Sequence, residues 1–222
     1  MSILVYRDKA TACAAAATLV SAGVIEKPNT VLGLDWAPEL QPVYRTLARM
    51  TSDGLLDWSE VKSFNLYEHV HADSERLCET QLLSVLYDRV NIAPENRFMP
   101  NTTGHDWSVV CNDYENAILN AGGLDTVLCA ARADGSVAYN LGAQELAPVT
   151  HVERTESGRI VTVGMTTLMS AKRMVVAILG RDKADIAAMI CNGSITPSVP
   201  ASYLQMHANA VFILDEDAAE KL

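Results

Sequence analysis

The run from Thr126 to Ala131 (TVLCAA) is apolar on both of the faces a strand presents, and polar turn residues follow it. A strand of this kind needs cover on both sides, the condition met in a parallel sheet sandwiched between helices. The run ends at Arg132-Ala133-Asp134-Gly135, where Asp-Gly marks a turn. In an open α/β sheet the loop leaving the carboxyl end of a central strand is where ligands usually bind. Asp134 would then stand at a site mouth with a carboxylate available for proton transfer. Spacing alone favours the plainer reading, in which Asp134 only shapes the turn.

On either side of this run, apolar strands alternate with helices. Strands are expected at Ile3–Tyr6, Thr30–Leu34, Val61–Leu66, Ile160–Gly164, Met174–Gly180 and Ala210–Leu214. A helix capped by Asp8 should stop at Gly23, and a second should start near Pro38 and end near Gly54. Asp73 or Ser74 can cap a third through Leu82, Leu86 and Tyr87. Further helices are expected at Val109–Ala121 and Asp182–Cys191, with a short helix or turn at Thr167–Ala171. Residues 143–158 are mixed and polar, without a period. Strand–helix alternation with short connections predicts an α/β fold, a three-layer, doubly wound, mainly parallel sheet in a single domain spanning residues 1–222.

Acidic residues outnumber basic ones by 27 to 17, for a formal net charge of -10, and no basic cluster could follow a phosphate backbone. Nucleic acid is therefore not an expected partner. The run Ala10–Val20 is too short to span a bilayer and residues 1–25 lack a secretory pattern, so neither a membrane nor export is expected. Five widely spaced cysteines without a CxxC pair read as free thiols in the cytoplasm. His69 and His71 would share one face of an extended segment, but a third metal ligand would need Asp73 or His105 to converge by folding. The expectation is no metal and no cofactor.

Five segments in order resemble the glucosamine-6-phosphate deaminase/isomerase family, which is related to the 6-phosphogluconolactonases. They are VLGL (31–34), FNLYEHV (64–70), LYDRVNIAPEN (86–96), ADGSVAYN (133–140) and TVGMTTLMSAKRMVVAILGRDKA (162–184). The resemblance implies a sugar-phosphate isomerase/deaminase-like fold and ring opening, proton transfer and ammonia release on an amino-sugar phosphate. It also implies a set of site positions, and most of them carry other residues here. The phosphate cradle, a Gly- and Thr/Ser-rich loop in the family, corresponds to Asp35-Trp36-Ala37-Pro38-Glu39, with no glycine, no hydroxyl and two added carboxylates. The proton-moving aspartate corresponds to Tyr67, with Glu68 retained beside it. The ring-opening histidine corresponds to Ser136, and the glutamate orienting it to Leu141, while Arg132 replaces a glycine. Lys183 matches the phosphate-contacting lysine. The lid region between 140 and 160 is shortened.

Two classes of function follow. One is an enzyme with altered chemistry on a sugar or sugar phosphate, using Asp134 with Glu68 or Tyr67 as catalytic groups. Lys183, Asp35, Glu39, Ser136 and Arg132 would then face the ligand. The other, favoured by the replacements, is a divergent protein of carbohydrate metabolism without deaminase activity, such as a sugar sensor or assembly protein. A lactonase-like hydrolase is a weaker third reading, because it also needs the missing histidine. A small sugar or sugar phosphate and further copies of the same chain are the partners considered.

Overall fold

The computed structural model describes residues 1–70, 77–104, 106–156 and 158–222. Strands and helices run in the order β1 (Ser2–Tyr6), α1 (Lys9–Glu26), β2 (Val31–Leu34), α2 (Gln41–Ser52), β3 (Lys62–Asn65), β4 (Tyr67–Val70), α3 (Leu77–Val85), β5 (Arg97–Phe98), α4 (Trp107–Asn120), β6 (Thr126–Ala130), β7 (His151–Thr155), β8 (Gly158–Thr162), α5 (Met165–Met169), β9 (Arg173–Ile178), α6 (Ala184–Asn192) and β10 (Ala210–Asp215). Seven strands form one sheet in the order β1-β10-β9-β6-β2-β3-β5, and every pairing in it is parallel. The expected run is its central strand, β6. A smaller antiparallel sheet, β4-β8-β7, stands beside it.

Period-two alternation along β6 builds the layers. Leu128 and Ala130 face a core formed with Ala12 and Ala16 of α1, Tyr44 and Leu47 of α2 and Leu82 of α3. Val127 and Cys129 face the opposite core, with Tyr114 and Ile118 of α4 and Ile190 of α6. α1 runs through Gly23 to Glu26 instead of stopping there, which makes it an 18-residue helix, longer than the run Ala10–Val20. By length and composition it could cross a membrane, yet its stripe Ala12, Cys13, Ala16, Ala17, Val20 and Val24 is buried in the core. Gly23 does not end the helix because it serves close approach. A Cβ there would lie 3.1 Å from Thr126 Oγ1. Pro38 opens a 3-10 turn, Pro38–Leu40, and α2 proper begins at Gln41.

The segment FNLYEHV is divided between the two sheets. Leu66 donates its N–H to Leu34 O (3.0 Å) and accepts from Val163 N (2.9 Å), so it joins the sheets and belongs to neither strand. β4 then turns away antiparallel to β8. β7 falls in the polar segment that shows no period, since a short, partly exposed hairpin strand need not alternate cleanly. The caps at Asp73 and Ser74 lie outside the described residues.

At the amino end of the sheet, Asp125 ties three elements together. Its Oδ2 accepts from Val31 N (2.8 Å) and Lys27 Nζ (2.6 Å), and its Oδ1 from Lys172 Nζ (2.7 Å). Burial alone would raise this carboxyl's pKa. The hydrogen bonds from Lys172, Lys27 and Val31 outweigh burial and hold it below the ordinary range. Asp125→Asn should cost about 1–3 kcal/mol in urea denaturation at pH 7. Because the folded pKa is depressed, this advantage is complete above the unfolded value near ~3.9 and is lost as pH falls through the folded one. Wild type and variant should therefore converge in stability in acid.

Candidate functional site

β2, β6 and β4 bring most of the expected residues to the carboxyl end of the parallel sheet. Asp35 follows β2 directly and is fully buried. Its Oδ2 accepts from Ala130 N (3.0 Å), while Oδ1 lies 3.7 Å from Arg132 Nη2 and has no hydrogen bond. Burial pushes the Asp35 carboxyl above its usual range, and Arg132 and the Ala130 N–H oppose that rise without cancelling it. The next two carbonyls along the chain are also engaged. Tyr44 Oη donates to Asp35 O, and Tyr67 Oη donates to Trp36 O.

Arg132 projects across this loop with its side chain 21% exposed. Its Nη2 donates to Tyr67 Oη (3.1 Å), and its guanidinium carbon lies 3.9 Å from the Tyr139 ring centroid and 5.3 Å from that of Tyr67. The Tyr67 and Tyr139 rings meet edge to face at 4.5 Å. Stacking of this kind holds a planar cation in one orientation. Tyr139 reaches its place through unusual backbone. Ala138 and Tyr139 have φ of 48° and 57°, a left-handed conformation that non-glycine residues adopt at a cost. Thr162 Oγ1 donates to Ala138 O, and Asn140 Nδ2 donates to Val137 O (3.1 Å) and Val163 O (2.9 Å), fixing both ends of this turn. An Ala-Tyr pair carries no local signal for left-handed backbone, so sequence reasoning passed over Tyr139.

These groups border a pocket of about 340 Å³ with Trp36, Glu39, Tyr67, His69, Arg132 and Tyr139 among its walls. At one edge Glu39, in the turn Pro38–Leu40, pairs with Lys183 Nζ. The lysine is only 8% exposed and the glutamate 18%. Burial would raise the Glu39 carboxyl, but the hydrogen bond and charge of Lys183 outweigh it and hold the group below its usual range.

The other expected residues are placed differently. Asp134 is exposed, and its Oδ1 accepts from Ser136 N (2.9 Å), which closes the turn after β6. Ser136 is fully buried and its hydroxyl has no partner. Neither residue borders the pocket. Glu68 points away from Tyr67, as alternation along β4 requires. It is buried, and its carboxylate accepts from the N–H groups of His69 (2.9 Å), Cys78 (3.0 Å) and Glu79 (2.9 Å), at the start of α3. Free amides at a helix start favour such a negative partner. Burial, then the nearby charge of Asp35, push the Tyr67 phenol well above its ordinary pKa. It is a protonated donor at neutral pH. No group of three His, Cys, Asp or Glu side chains suited to a metal occurs among the described residues, and His71, Asp73 and His105 lie outside them.

Removing Arg132 leaves a buried carboxylate with one backbone donor. Arg132→Gln should cost ~3 kcal/mol at neutral pH. Without the guanidinium the folded pKa of Asp35 rises further. The deficit is then smallest in acid, where Asp35 is protonated in both proteins, and grows as pH rises through the wild-type folded pKa, which burial sets above the unfolded value near ~3.9. Urea denaturation of both proteins between pH 4 and pH 8 measures this, and a pH-independent deficit would contradict it.

The family model for glucosamine-6-phosphate isomerases/6-phosphogluconolactonase matches residues 38–213. The chain is 32% identical to a glucosamine-6-phosphate deaminase of Clostridioides difficile (strain 630), with 100% of this chain and 97% of the relative covered. It is 31% identical to that of Clostridium novyi (strain NT), with both chains fully covered. Among solved structures, a monomeric glucosamine-6-phosphate deaminase superposes with a TM-score of 0.94 at 23% identity, covering 100% of each chain. The 6-phosphogluconolactonase of Trypanosoma brucei does so with a TM-score of 0.81 at 20% identity, covering 100% of this chain and 98% of the other. The likeness runs from end to end, in sequence as in fold, and on that basis the chain belongs to the glucosamine-6-phosphate isomerase/6-phosphogluconolactonase family.

Proposed function

We propose that this chain is a cytoplasmic member of the family that no longer deaminates glucosamine 6-phosphate and keeps the pocket beside Arg132 for a small sugar-like ligand bound without a phosphate clamp. The observation that carries this reading is the ion pair between Lys183 and Glu39. Lys183 is the position that the resemblance assigns to substrate phosphate, and its charge is met by a carboxylate of the same chain. A phosphate brought to ~4 Å of Glu39 would meet repulsion on the order of 4 kcal/mol per charge pair at an effective dielectric near ~20.

The proton inventory supports the loss of catalysis. Deamination needs a carbon base and a group that opens the ring. Tyr67 keeps its proton. Ser136 has a buried hydroxyl without a hydrogen-bonded base, and Asp134 is engaged by a backbone N–H outside the pocket. The pocket itself suits a ligand. At about 340 Å³ it lies within the usual range for small molecules, and its aromatic walls offer flat apolar faces beside one cation. Five free, buried cysteines support a reducing compartment.

Matched pairs of sugar and sugar phosphate, titrated by calorimetry into wild type and Glu39→Thr, test the reading. Wild type should show no preference for the phosphorylated partner and release no ammonia from glucosamine 6-phosphate. Glu39→Thr leaves a nearly buried lysine unpaired. It should lose stability and gain at least a tenfold preference for the phosphorylated partner. Ammonia release by wild type that is abolished in Asp134→Asn would refute the proposal.

A further inference from the structure

We infer that the chain carries a second ligand site, a three-arginine pocket for a small oxyanion such as phosphate, pyrophosphate or a phosphate monoester. The site lies at the far end of α2 from the Glu39–Lys183 pair and does not rest on the sugar reading. Its pocket, about 240 Å³, is lined by Arg45, Ala48, Arg49, Ser52 and Arg89. Arg45 and Arg49 are one helical turn apart on α2, so their side chains share a face. Arg89 joins them from the turn Tyr87–Arg89, which follows α3.

Two observations mark this cluster. First, the chain is strongly acidic, and Arg7, Arg132, Arg173 and Arg181 each have a carboxylate partner, whereas of the six described arginines without an ion pair three line this one pocket, the others being Arg97, Arg154 and Arg159. The three pocket arginines have none among the described residues, although Asp53 and Asp88 lie close in sequence. Their hydrogen bonds leave most donors free. Arg45 Nη2 donates to Gln41 Oε1 (3.2 Å) and Arg89 Nε to Ser84 O (3.0 Å), while Arg49 has no side-chain hydrogen bond among the described residues. Second, like charges one turn apart on a helix are mutually unfavourable, and a third brought in by the tertiary fold adds to that repulsion. An anion seated among them relieves it.

The donor set defines the ligand class. Guanidinium groups present paired N–H donors that match the oxygens of phosphate or carboxylate, and they keep their charge at every physiological pH. Three exposed guanidinium-bearing residues lining one small, open concavity favour a compact, multiply charged oxyanion. The pocket's volume suits a phosphate or diphosphate group.

Calorimetric titration of the full chain with pyrophosphate, inorganic phosphate and glycerol phosphate at low ionic strength tests this. One saturable site should appear and should weaken as salt is added. Arg49→Gln and Arg89→Gln should each lower pyrophosphate affinity by about tenfold, while Lys9→Gln, which removes one exposed positive charge elsewhere, leaves it unchanged. Tighter binding of glycerol phosphate than of inorganic phosphate would support an ester as ligand, and the reverse would support the free anion. Signals from the arginine Nε–H groups in heteronuclear NMR should shift at Arg45, Arg49 and Arg89, locating the site without a variant. No saturable binding up to about 10 mM overturns the proposal. An equal loss in Lys9→Gln, or shifts confined to other residues, overturns it as well.

Discussion

The carboxyl end of this molecule depends on one buried contact, the Asp35 carboxylate held between the Ala130 N–H and the Arg132 guanidinium. The first partner fixes the loop after β2 against the end of β6. The second orients the arginine that Tyr67 and Tyr139 then enclose. Two phenols complete the arrangement by donating to the carbonyls of Asp35 and Trp36. A buried ion pair adds little net stability, because desolvation opposes the Coulomb attraction. Its effect is orientation, and here it leaves the loop's carbonyls committed to tyrosines and its acidic side chain committed inward. The groups it commits are acceptors, two carbonyls and a carboxylate, and none of them attracts an incoming anion.

Much of the fold was legible because the signal was redundant. The inner parallel strands β2, β6, β9 and β10, buried almost throughout, read as apolar runs, and the helices between them carry caps and periodic core residues that agree with those runs, whereas the two-residue edge strand β5 gave no such signal. β6 is the clearest example, with consecutive residues feeding opposite cores. Of the smaller sheet only β8 was legible, as the strand expected at Ile160–Gly164, and its place in a separate sheet was not. The strands of that sheet are short and partly exposed, with β4 set by pairing with residues far away in sequence, such as Tyr67 with Thr162, and β7 by the hairpin it makes with β8. Tertiary context overrides local preference in such strands.

The site was legible in its chemistry and opaque in its geometry. Residue types at Asp35, Glu39, Tyr67 and Ser136 were enough to question phosphate binding and proton transfer. They did not reveal that Glu39 meets Lys183, because those residues are 144 positions apart. Strand alternation already set Tyr67 and Glu68 pointing in opposite directions, but it did not show that one would meet Arg132 and the other the amides that begin α3. The left-handed backbone at Ala138 and Tyr139 was the least accessible feature, being imposed by Thr162 and Asn140 against the preference of both residues.

The Glu39–Lys183 pair also constrains how this lineage can change. Replacing the lysine first strands a carboxylate close to buried Asp35, and replacing the glutamate first strands an ammonium that is only 8% exposed. Each single step is destabilising, because the two side chains are energetically coupled and their effects do not add. A change at either position is therefore open chiefly where an external ion is abundant enough to stand in for the missing partner during the intermediate step. A partly buried pair of opposite charges thus works as an evolutionary ratchet, in which each side chain makes the other a requirement of the fold.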